Sequence, residues 1–216
     1  MKFTVPARWI EARLAFTRSA ALWGMVGHIV GLGDRHAENI LIHSPTGEMV
    51  HVDFDCIFDK GIWGLDRPEL TPFRLTRNIV DAFGISGCDG TFRNTCKCAL
   101  GVLRSNGDVL LNVLEAFIND PLVEWKSKKM DSRRTKVRID EATATRRAHE
   151  FLLTTRDRLD GIFNYTLRKY KGTLRGRSDV ADSIPLSVEG HVNRLIKEAT
   201  SEANLAQMYV GWMPWL

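Results

Sequence analysis

The first apolar pattern along the chain predicts a long helix over residues 6–30. Five apolar residues recur there at roughly helical spacing: Ile10, Leu14, Ala21, Met25 and Ile29. Pro6 suits the first turn of a helix because its missing N–H has no intrahelical partner there. Gly31 and Gly33 are typical of a helix end, so we expect the helix to stop just before a polar loop.

Beyond the polar loop the pattern changes to two short strands. Residues 40–43 and 49–54 are mainly apolar, and a Ser-Pro-Thr-Gly turn signal at 44–47 separates them. We therefore expect a β-hairpin. Residues 55–74 contain two glycines and two prolines and predict a long loop, and long ordered loops in compact domains are usually functional.

Helical patterns return in the second half of the chain. Residues 109–118 place six apolar side chains on one predicted face, with Asp108 as a candidate N-cap: Val109, Leu110, Val113, Leu114, Phe117 and Ile118. A further helix is expected within residues 140–170. Two short helices are expected within residues 184–216, where Ser201 is a candidate cap of the second. The predicted fold class is α+β, mostly helical.

Composition fits a globular chain and disfavours several other classes. The chain has 216 residues, of which 44% are hydrophobic and 26% charged, enough for a sizeable core. A fully disordered chain, a collagen and a disulfide miniprotein do not fit. The N-terminus lacks the apolar run of a signal peptide, so we expect a cytosolic or nuclear protein. The four cysteines lack zinc-finger spacing and are expected to be reduced thiols.

The excess positive charge is confined to one segment. Residues 1–123 carry 12 basic and 14 acidic side chains, residues 124–183 carry 16 and 9, and residues 184–216 carry 2 and 3. A basic stretch between near-neutral blocks is more typical of a solvated linker than of a nucleic-acid surface, and no aromatic ladder accompanies it.

One spacing pattern carries chemistry. Asp34 and Asn39 are five residues apart in the polar loop, and Asp53 ends the second strand just before Phe54. A hairpin between them would bring the three polar side chains together at one end of the hairpin. Two carboxylates and an amide oxygen suit Mg²⁺, which completes its shell with water and substrate phosphates. The spacing matches the catalytic loop and metal-binding aspartate of protein kinases.

The Asp-Arg-His order at 34–36 is reversed relative to ordinary protein kinases, and it points to one family. Together with residues 31–33, 39–41 and 51–54, it resembles the catalytic and metal-binding motifs of the phosphatidylinositol-3-kinase-related protein kinases.

Two further regions extend the resemblance over nearly the whole chain. Residues 72–76 resemble the end of the family's activation loop, and residues 211–216, which include two tryptophans, resemble with the helices before them its C-terminal FATC segment. Within the family, residues 53–61 and 208–212 most resemble the ATR-type DNA-damage checkpoint kinases.

The resemblance implies a role for each motif residue. Asp34 would engage the substrate hydroxyl. His36 would contact the γ-phosphate of ATP or share the proton, and this alternative stays open. Asn39 and Asp53 would bind Mg²⁺.

The resemblance also implies a nucleotide-binding surface and an activation loop. Leu41 and Val52 would form the apolar floor under adenine, although both also fit plain core, and residues 53–74 would receive the peptide. The sequence departs from the family at Asp55, where glycine is usual, and at Arg67, where an apolar residue is usual.

The implied fold is the C-terminal lobe of a PI3/PI4-kinase-like protein kinase, with a small β-hairpin carrying the metal site. We expect the lobe at residues 1–123, a basic regulatory segment with a helix at 124–183, and an FATC-like segment at 184–216. Only 33 residues precede Asp34, and they lack a glycine-rich strand and a phosphate-binding lysine motif. We therefore expect the N-lobe to lie outside this chain and the isolated chain to have little or no activity.

By this resemblance, the parent kinase transfers the γ-phosphate of ATP, with Mg²⁺, to Ser or Thr before Gln in nuclear DNA-damage checkpoint signalling. The implied partners are protein substrates, an N-lobe and helical solenoid, and an ATRIP-like regulatory subunit, with DNA reached only indirectly and no membrane.

Two alternatives stay open. A phosphoinositide lipid kinase is the nearer one, but residues 55–71 carry Lys60 and Arg67 against four acidic residues, which repels a polyanionic headgroup. The other is a non-catalytic scaffold.

Overall fold

The computed structural model describes residues 4–118, 141–162 and 184–212. In these ranges the α-helices are α1 (Pro6–Val30), α2 (Lys60–Trp63), α3 (Arg77–Ala82), α4 (Thr91–Ser105), α5 (Gly107–Ile118), α6 (Glu141–Asp160), α7 (Val188–Ala199) and α8 (Glu202–Leu205). Strands β1 (Ile40–Ile42) and β2 (Met49–His51) form a two-stranded antiparallel sheet, and two 3₁₀ turns cover Ala37–Asn39 and Val210–Trp212. The predicted α+β, mostly helical class is confirmed.

Helix α1 is the centre of the fold, and its predicted span is confirmed. Ala21, Met25 and Ile29 are completely buried, whereas Ile10, predicted on the same face, is 46% exposed near the beginning of the helix. The helix ends at Gly31, which has a left-handed φ of 61°.

Helices α4 and α7 complete the main apolar core against α1. In α4 the buried residues Phe92, Cys96 and Leu100 recur every four positions. From α7, Val192 and Leu195 reach the same core and are fully buried. The core therefore joins the beginning of the chain to its C-terminal segment.

The hairpin is confirmed, and each strand is shorter than predicted. Leu41 pairs with Val50, between the pairs Ile40–His51 and Ile42–Met49. The hairpin is attached to α1 by two hydrogen bonds: Trp23 Nε1 donates to the Met49 carbonyl at 3.0 Å, and Ser19 Oγ accepts from the Met49 N–H at 2.8 Å.

The apolar face predicted for α5 is partly wrong. Leu114 and Ile118 are buried, but Val109, Val113 and Phe117 are 65%, 49% and 59% exposed. The six residues span two adjacent rows of the helix, and only the row beginning at Leu110 packs against the protein. Asp108 is not the N-cap either, because the helix begins at Gly107.

The expected helix of the basic segment is present as α6. It does not lie free in solvent as a linker would, because Phe151, Thr155, Arg158 and Leu159 are at most 5% exposed. Phe151 packs on Phe58 with ring centroids 5.0 Å apart. Residues 119–140 and 163–183, which contain 12 of the 16 basic residues of the segment 124–183, lie outside the described residues.

The C-terminal helices follow the predicted pattern. Ser187 caps α7 by accepting from the Gly190 N–H at 3.1 Å. Ser201 is the N-cap residue of α8, but its side chain forms no capping bond within the described residues. Trp212 is 2% exposed. None of the helices in the described ranges is long and apolar enough to cross a membrane.

Candidate active site

A single buried arginine links the polar loop to the end of β2. Arg35 is 2% exposed, and its Nε donates to the Gly33 carbonyl at 2.8 Å. Its two terminal nitrogens donate to the carbonyls of Val52, at 2.7 Å, and Asp53. The guanidinium therefore fixes the loop that carries Asp34 against the strand that leads to Asp53.

Asp34 and Asn39 are held in one turn. Asn39 is 6% exposed, and its Nδ2 donates to the Asp34 carbonyl at 2.8 Å. The main-chain carbonyl of Asn39 accepts from the Val52 N–H at 3.1 Å. Because Nδ2 is used inside the loop, Oδ1 is the side-chain atom left to meet a ligand. Asp34 has a left-handed φ of 58°, which Asp tolerates better than most residues.

Asp53 follows β2 and is exposed at the same end of the hairpin. Its φ is also 58°, and Oδ1 accepts from the Asp55 N–H at 3.1 Å, so Oδ2 is the carboxylate oxygen available to a ligand. Asp55 is not among the described residues with positive φ, so this position has no conformational need for the family's glycine. The backbone contacts thus bring Asp34, Asn39 and Asp53 together, as the spacing predicts.

His36 forms the beginning of the 3₁₀ turn. Its Nδ1 accepts from the Glu38 N–H at 3.2 Å. In a neutral ring this acceptor role places the proton on Nε2, which is then a donor.

One face of the hairpin is apolar and open. Leu41 and its partner Val50 are 51% and 40% exposed, and Val52, one residue beyond the end of β2, is half-buried. The Val52 N–H donates to the Asn39 carbonyl, which continues the ladder by one residue and places Val50 and Val52 on one side. The plain-core alternative is therefore wrong for Leu41. Sequence reasoning missed Val50, although its strand pattern was available as a signal.

Sequence reasoning also missed Glu69, which counted only as an acidic residue of the long loop. It is buried, and its Oε1 accepts from the Asp34 N–H at 2.8 Å. Burial raises the pKa of Glu69 to about 7, and the backbone bond from Asp34 opposes that rise.

Burial also weakens the charge argument against a lipid headgroup. Glu69 is buried, and Asp59 forms a buried ion pair with Arg158, Nη2 to Oδ1, at 2.8 Å. The exposed acidic residues of the loop are then Asp55 and Asp66, against two cations. The loop surface is near neutral, and it still lacks a basic cluster.

The C-terminal segment contacts the end of the same loop. The Leu70 N–H donates to Met208 Sδ at 3.3 Å, and the Arg74 guanidinium lies 5.4 Å from the centroid of the Trp212 ring. Arg74 also donates to the Arg35 carbonyl at 3.3 Å. The tail therefore supports the loop that leads back to the site.

In the described ranges, no group of three or more His, Cys, Asp and Glu side chains is placed to hold a metal ion. The four cysteines are free thiols, and burial raises the pKa of Cys56 and Cys96 to about 12. The donor set at the hairpin, Asp53 with the Asn39 oxygen, suits a hard cation that takes its other ligands from water and phosphate.

A helical lobe with a metal-suited hairpin and an Asp-Arg-His loop defines a kinase-type phosphotransferase class. The family model described as phosphatidylinositol 3- and 4-kinase matches residues 1–127, and that described as FATC domain matches residues 185–216. The chain belongs to the phosphatidylinositol-3-kinase-related protein kinases, as its motifs predict.

Its relatives include much longer protein kinases. The chain is 48% identical over 99% of its length to serine/threonine-protein kinase ATR of Oryza sativa subsp. indica, 44% over 99% to that of Arabidopsis thaliana, and 40% over 97% to protein kinase rad3 of Schizosaccharomyces pombe. It spans 7%, 7% and 8% of these proteins.

Solved structures of Tel1 confirm the fold. A Tel1 kinase symmetric dimer matches 100% of this chain with a TM-score of 0.76, and the FAT and kinase domain of CtTel1 matches 99% with 0.71. Both are 34% identical to it, and the matches cover 8% and 13% of those chains. The predicted PI3/PI4-kinase-like lobe is thereby confirmed. The bounds predicted for its three segments stay a prediction.

Proposed function

We propose that this chain is the catalytic-loop-bearing part of a serine/threonine protein kinase that transfers the γ-phosphate of ATP in DNA-damage checkpoint signalling. The observation that carries the proposal is the Arg35 bridge between the loop of Asp34 and the segment of Asp53, together with the bond from Asn39 to the Asp34 carbonyl. The names of the relatives, serine/threonine-protein kinases of the ATR type, support the substrate class.

In this proposal Asp34 and His36 act on the substrate. The Asp34 carboxylate orients the hydroxyl of the substrate Ser or Thr and accepts its proton as the phosphoryl group transfers. The Nδ1 of His36 already accepts a backbone bond, which favours a donor at Nε2 that contacts the γ-phosphate over a second proton acceptor.

Asn39 and Asp53 hold Mg²⁺, and Leu41 and Val52 lie under the adenine. A bound Mg²⁺ neutralises charge on the phosphoryl group during transfer. The bond that Asp53 Oδ1 accepts from the Asp55 N–H and the bond that Asn39 Nδ2 donates to the Asp34 carbonyl support the orientation of the two ligand side chains. The exposed Leu41–Val50 pair offers adenine an apolar surface beside them.

The remaining parts of the proposal concern the whole kinase. Its substrates are proteins phosphorylated on Ser or Thr before Gln, and it works in the nucleus with an ATRIP-like subunit, reaching DNA only indirectly. Because the chain spans 7–8% of its relatives, we propose that the phosphate-covering lobe and a helical solenoid come from outside these residues, and that the chain alone is inactive.

Substitutions in the kinase completed with its smaller lobe test this proposal. Asp34→Asn and Asp53→Asn should each lower kcat on a Ser-Gln peptide at least about 10³-fold. Asp66→Asn, an exposed acidic residue of the loop, is the matched control and should retain wild-type kcat. Turnover retained in Asp53→Asn would place the metal site elsewhere.

Substrate competition tests the alternatives. The completed wild-type kinase is offered a Ser-Gln peptide, the matching Ser-Ala peptide and vesicles that contain phosphoinositides. Preference for the Ser-Gln peptide is expected. Preference for the vesicles would favour the lipid kinase, which the near-neutral loop surface leaves open, and no transfer to any of them would favour the scaffold.

A further inference from the structure

Glu69 lies directly beneath the catalytic loop, although it is 35 residues away from Asp34 in sequence. The carboxyl group fills a narrow slot between the loop and α2. A Cβ atom on Gly33 would lie 2.5 Å from Glu69 Oε2, and a Cβ atom on Gly61 would clash with the same atom. Only glycine at both positions leaves room for this carboxyl group.

A pocket of about 30 Å³ adjoins this slot. Its polar lining comes from α1, the long loop and α6: His28, Asp59, Glu69, Thr71 and Arg158. Three of these residues carry buried polar atoms to which the described part of the protein offers no partner, namely His28 Nε2, Thr71 Oγ1 and Arg158 Nε. Each of the three residues is at most 7% exposed.

Such atoms require a partner. A buried polar atom without a partner destabilises the folded state, and ordered water is the usual partner in protein interiors. A water needs roughly 10–15 Å³ and two to four polar neighbours, so the pocket accommodates one or two waters. Burial lowers the pKa of His28 well below 6.5, with Arg158 and His191 acting in the same direction. The His28 side chain therefore lines the pocket as a neutral imidazole.

Arg158 connects this pocket to helix α6. Its Nη2 pairs with Asp59 Oδ1 at 2.8 Å, and its Nη1 donates to the Ile29 carbonyl at 3.5 Å. The Asp59 N–H donates to the Gly31 carbonyl at 2.9 Å. One side chain of α6 thus contacts the end of α1, which leads directly into the catalytic loop.

We propose that this pocket is a buried water site and that Glu69 is a positioning residue, so that α6 holds Asp34 in its catalytic conformation through Arg158, water and Glu69. The water accepts from Arg158 Nε–H and bridges Thr71, His28 and the neighbouring carboxyl groups. The role of Asp34 as the catalytic residue rests on the function proposed above, whereas the hydrogen-bonded support of its backbone does not.

Amide hydrogen exchange in the 216-residue chain tests the positioning role without an activity assay. In Glu69→Ala the Asp34 amide should exchange about tenfold faster than in wild type, because its acceptor is lost. Glu69→Gln should recover most of the protection, and the Met25 amide in α1 should be unchanged in both. Unchanged Asp34 exchange in Glu69→Ala would overturn the role. Equal acceleration at Met25 and Asp34 in both variants would also overturn it, since it would mean that Glu69 supports the whole fold.

A hydroxyl deletion and a crystal structure test the water. Thr71→Val should speed Asp34 exchange several-fold, whereas Thr17→Val, a buried threonine bonded to the Arg13 carbonyl within α1, should not. A high-resolution structure should show water within hydrogen-bond distance of Thr71 Oγ1 and Arg158 Nε. Equal effects of the two threonine variants, or direct protein partners at both atoms, would overturn the water site.

Kinetics of the completed kinase separate this inference from the proposed function. Glu69→Ala should lower kcat about tenfold or more with little change in the KM for ATP, and Glu69→Gln should restore it. If the wild-type enzyme transfers no phosphate, the proposed function fails while the exchange data still decide the support of Asp34. If it does transfer phosphate and Glu69→Ala leaves kcat unchanged, the positioning role alone fails.

Discussion

The catalytic loop and the helical core of the same lobe are stabilised by different kinds of interaction. The core is stabilised by burial of apolar surface: Met25, Phe92 and Leu195 are at most 1% exposed. The loop is fixed by the three bonds of Arg35 to main-chain carbonyls and by left-handed turns. Apolar burial tolerates changes of shape, whereas hydrogen bonds require direction. Directional contacts thus occur where the proposed function requires side chains to point at a ligand.

Removing the charged side chain of Arg35 from the loop that carries Asp34 is the strongest test of this difference. Arg35→Met should lower the free energy of unfolding by about 4 kcal/mol, because three carbonyls lose their donor in a buried setting. Denaturant unfolding of the chain measures it, with the exposed Arg77→Met as control. A loss equal to that of the control would mean that the loop does not depend on Arg35.

Truncating a side chain of the apolar core gives the corresponding loss in the free energy of unfolding for that region. Leu195→Ala should cost about 3 kcal/mol through lost burial and a cavity, whereas the exposed Val109→Ala should stay within about 0.5 kcal/mol. Conservative replacements sharpen the contrast: Leu195→Met should cost only about 1 kcal/mol, and Arg35→Lys about 2. Equal costs for the two conservative changes would remove the distinction between the regions.

The ion pair between α6 and the long loop belongs to both kinds of region, because it is polar and buried. Arg158→Met and Asp59→Asn should each destabilise the chain, and the double variant should cost about 2 kcal/mol less than the sum. Denaturant unfolding of all four proteins gives this coupling. Simple additivity would show that the two side chains do not act together.

Lowering the pH should destabilise the folded protein by protonating buried histidines. Burial, then Arg104, Arg158 and Arg194, lowers the pKa of His191 to about 4. The folded state therefore binds this proton less readily than the unfolded chain does, and stability should fall as pH falls from about 6.5 towards 4. His191→Asn should reduce that loss by about 1 kcal/mol between pH 6.5 and 5.5 in thermal unfolding. An unchanged pH slope would contradict the buried neutral ring.

Local sequence patterns were enough to predict part of this structure. Helix α1, the hairpin and the meeting of Asp34, Asn39 and Asp53 follow from short-range periodicity and spacing, since a hairpin places its two flanks side by side. Pairing of Leu41 with Val50 follows from the same turn.

What the sequence did not reveal depends on contacts between distant residues. Glu69 meets Asp34 across 35 positions, and Arg158 meets Asp59 across 99. Nothing next to either acidic residue indicates that it forms these contacts. The outward row of α5 is similar: Val109 and Leu110 are both apolar, and only the positions of the main core and of α6 decide which one packs.

The left-handed backbone at Asp34 and Asp53 limits which amino acids can replace them without strain. Asparagine and glycine suit this conformation, and a single base change in an aspartate codon produces either. Neither side chain carries a charge, so such a descendant would keep the shape of the loop while losing its acid. Under the proposed function, descendants that keep this fold and have lost catalysis are therefore a single base change away.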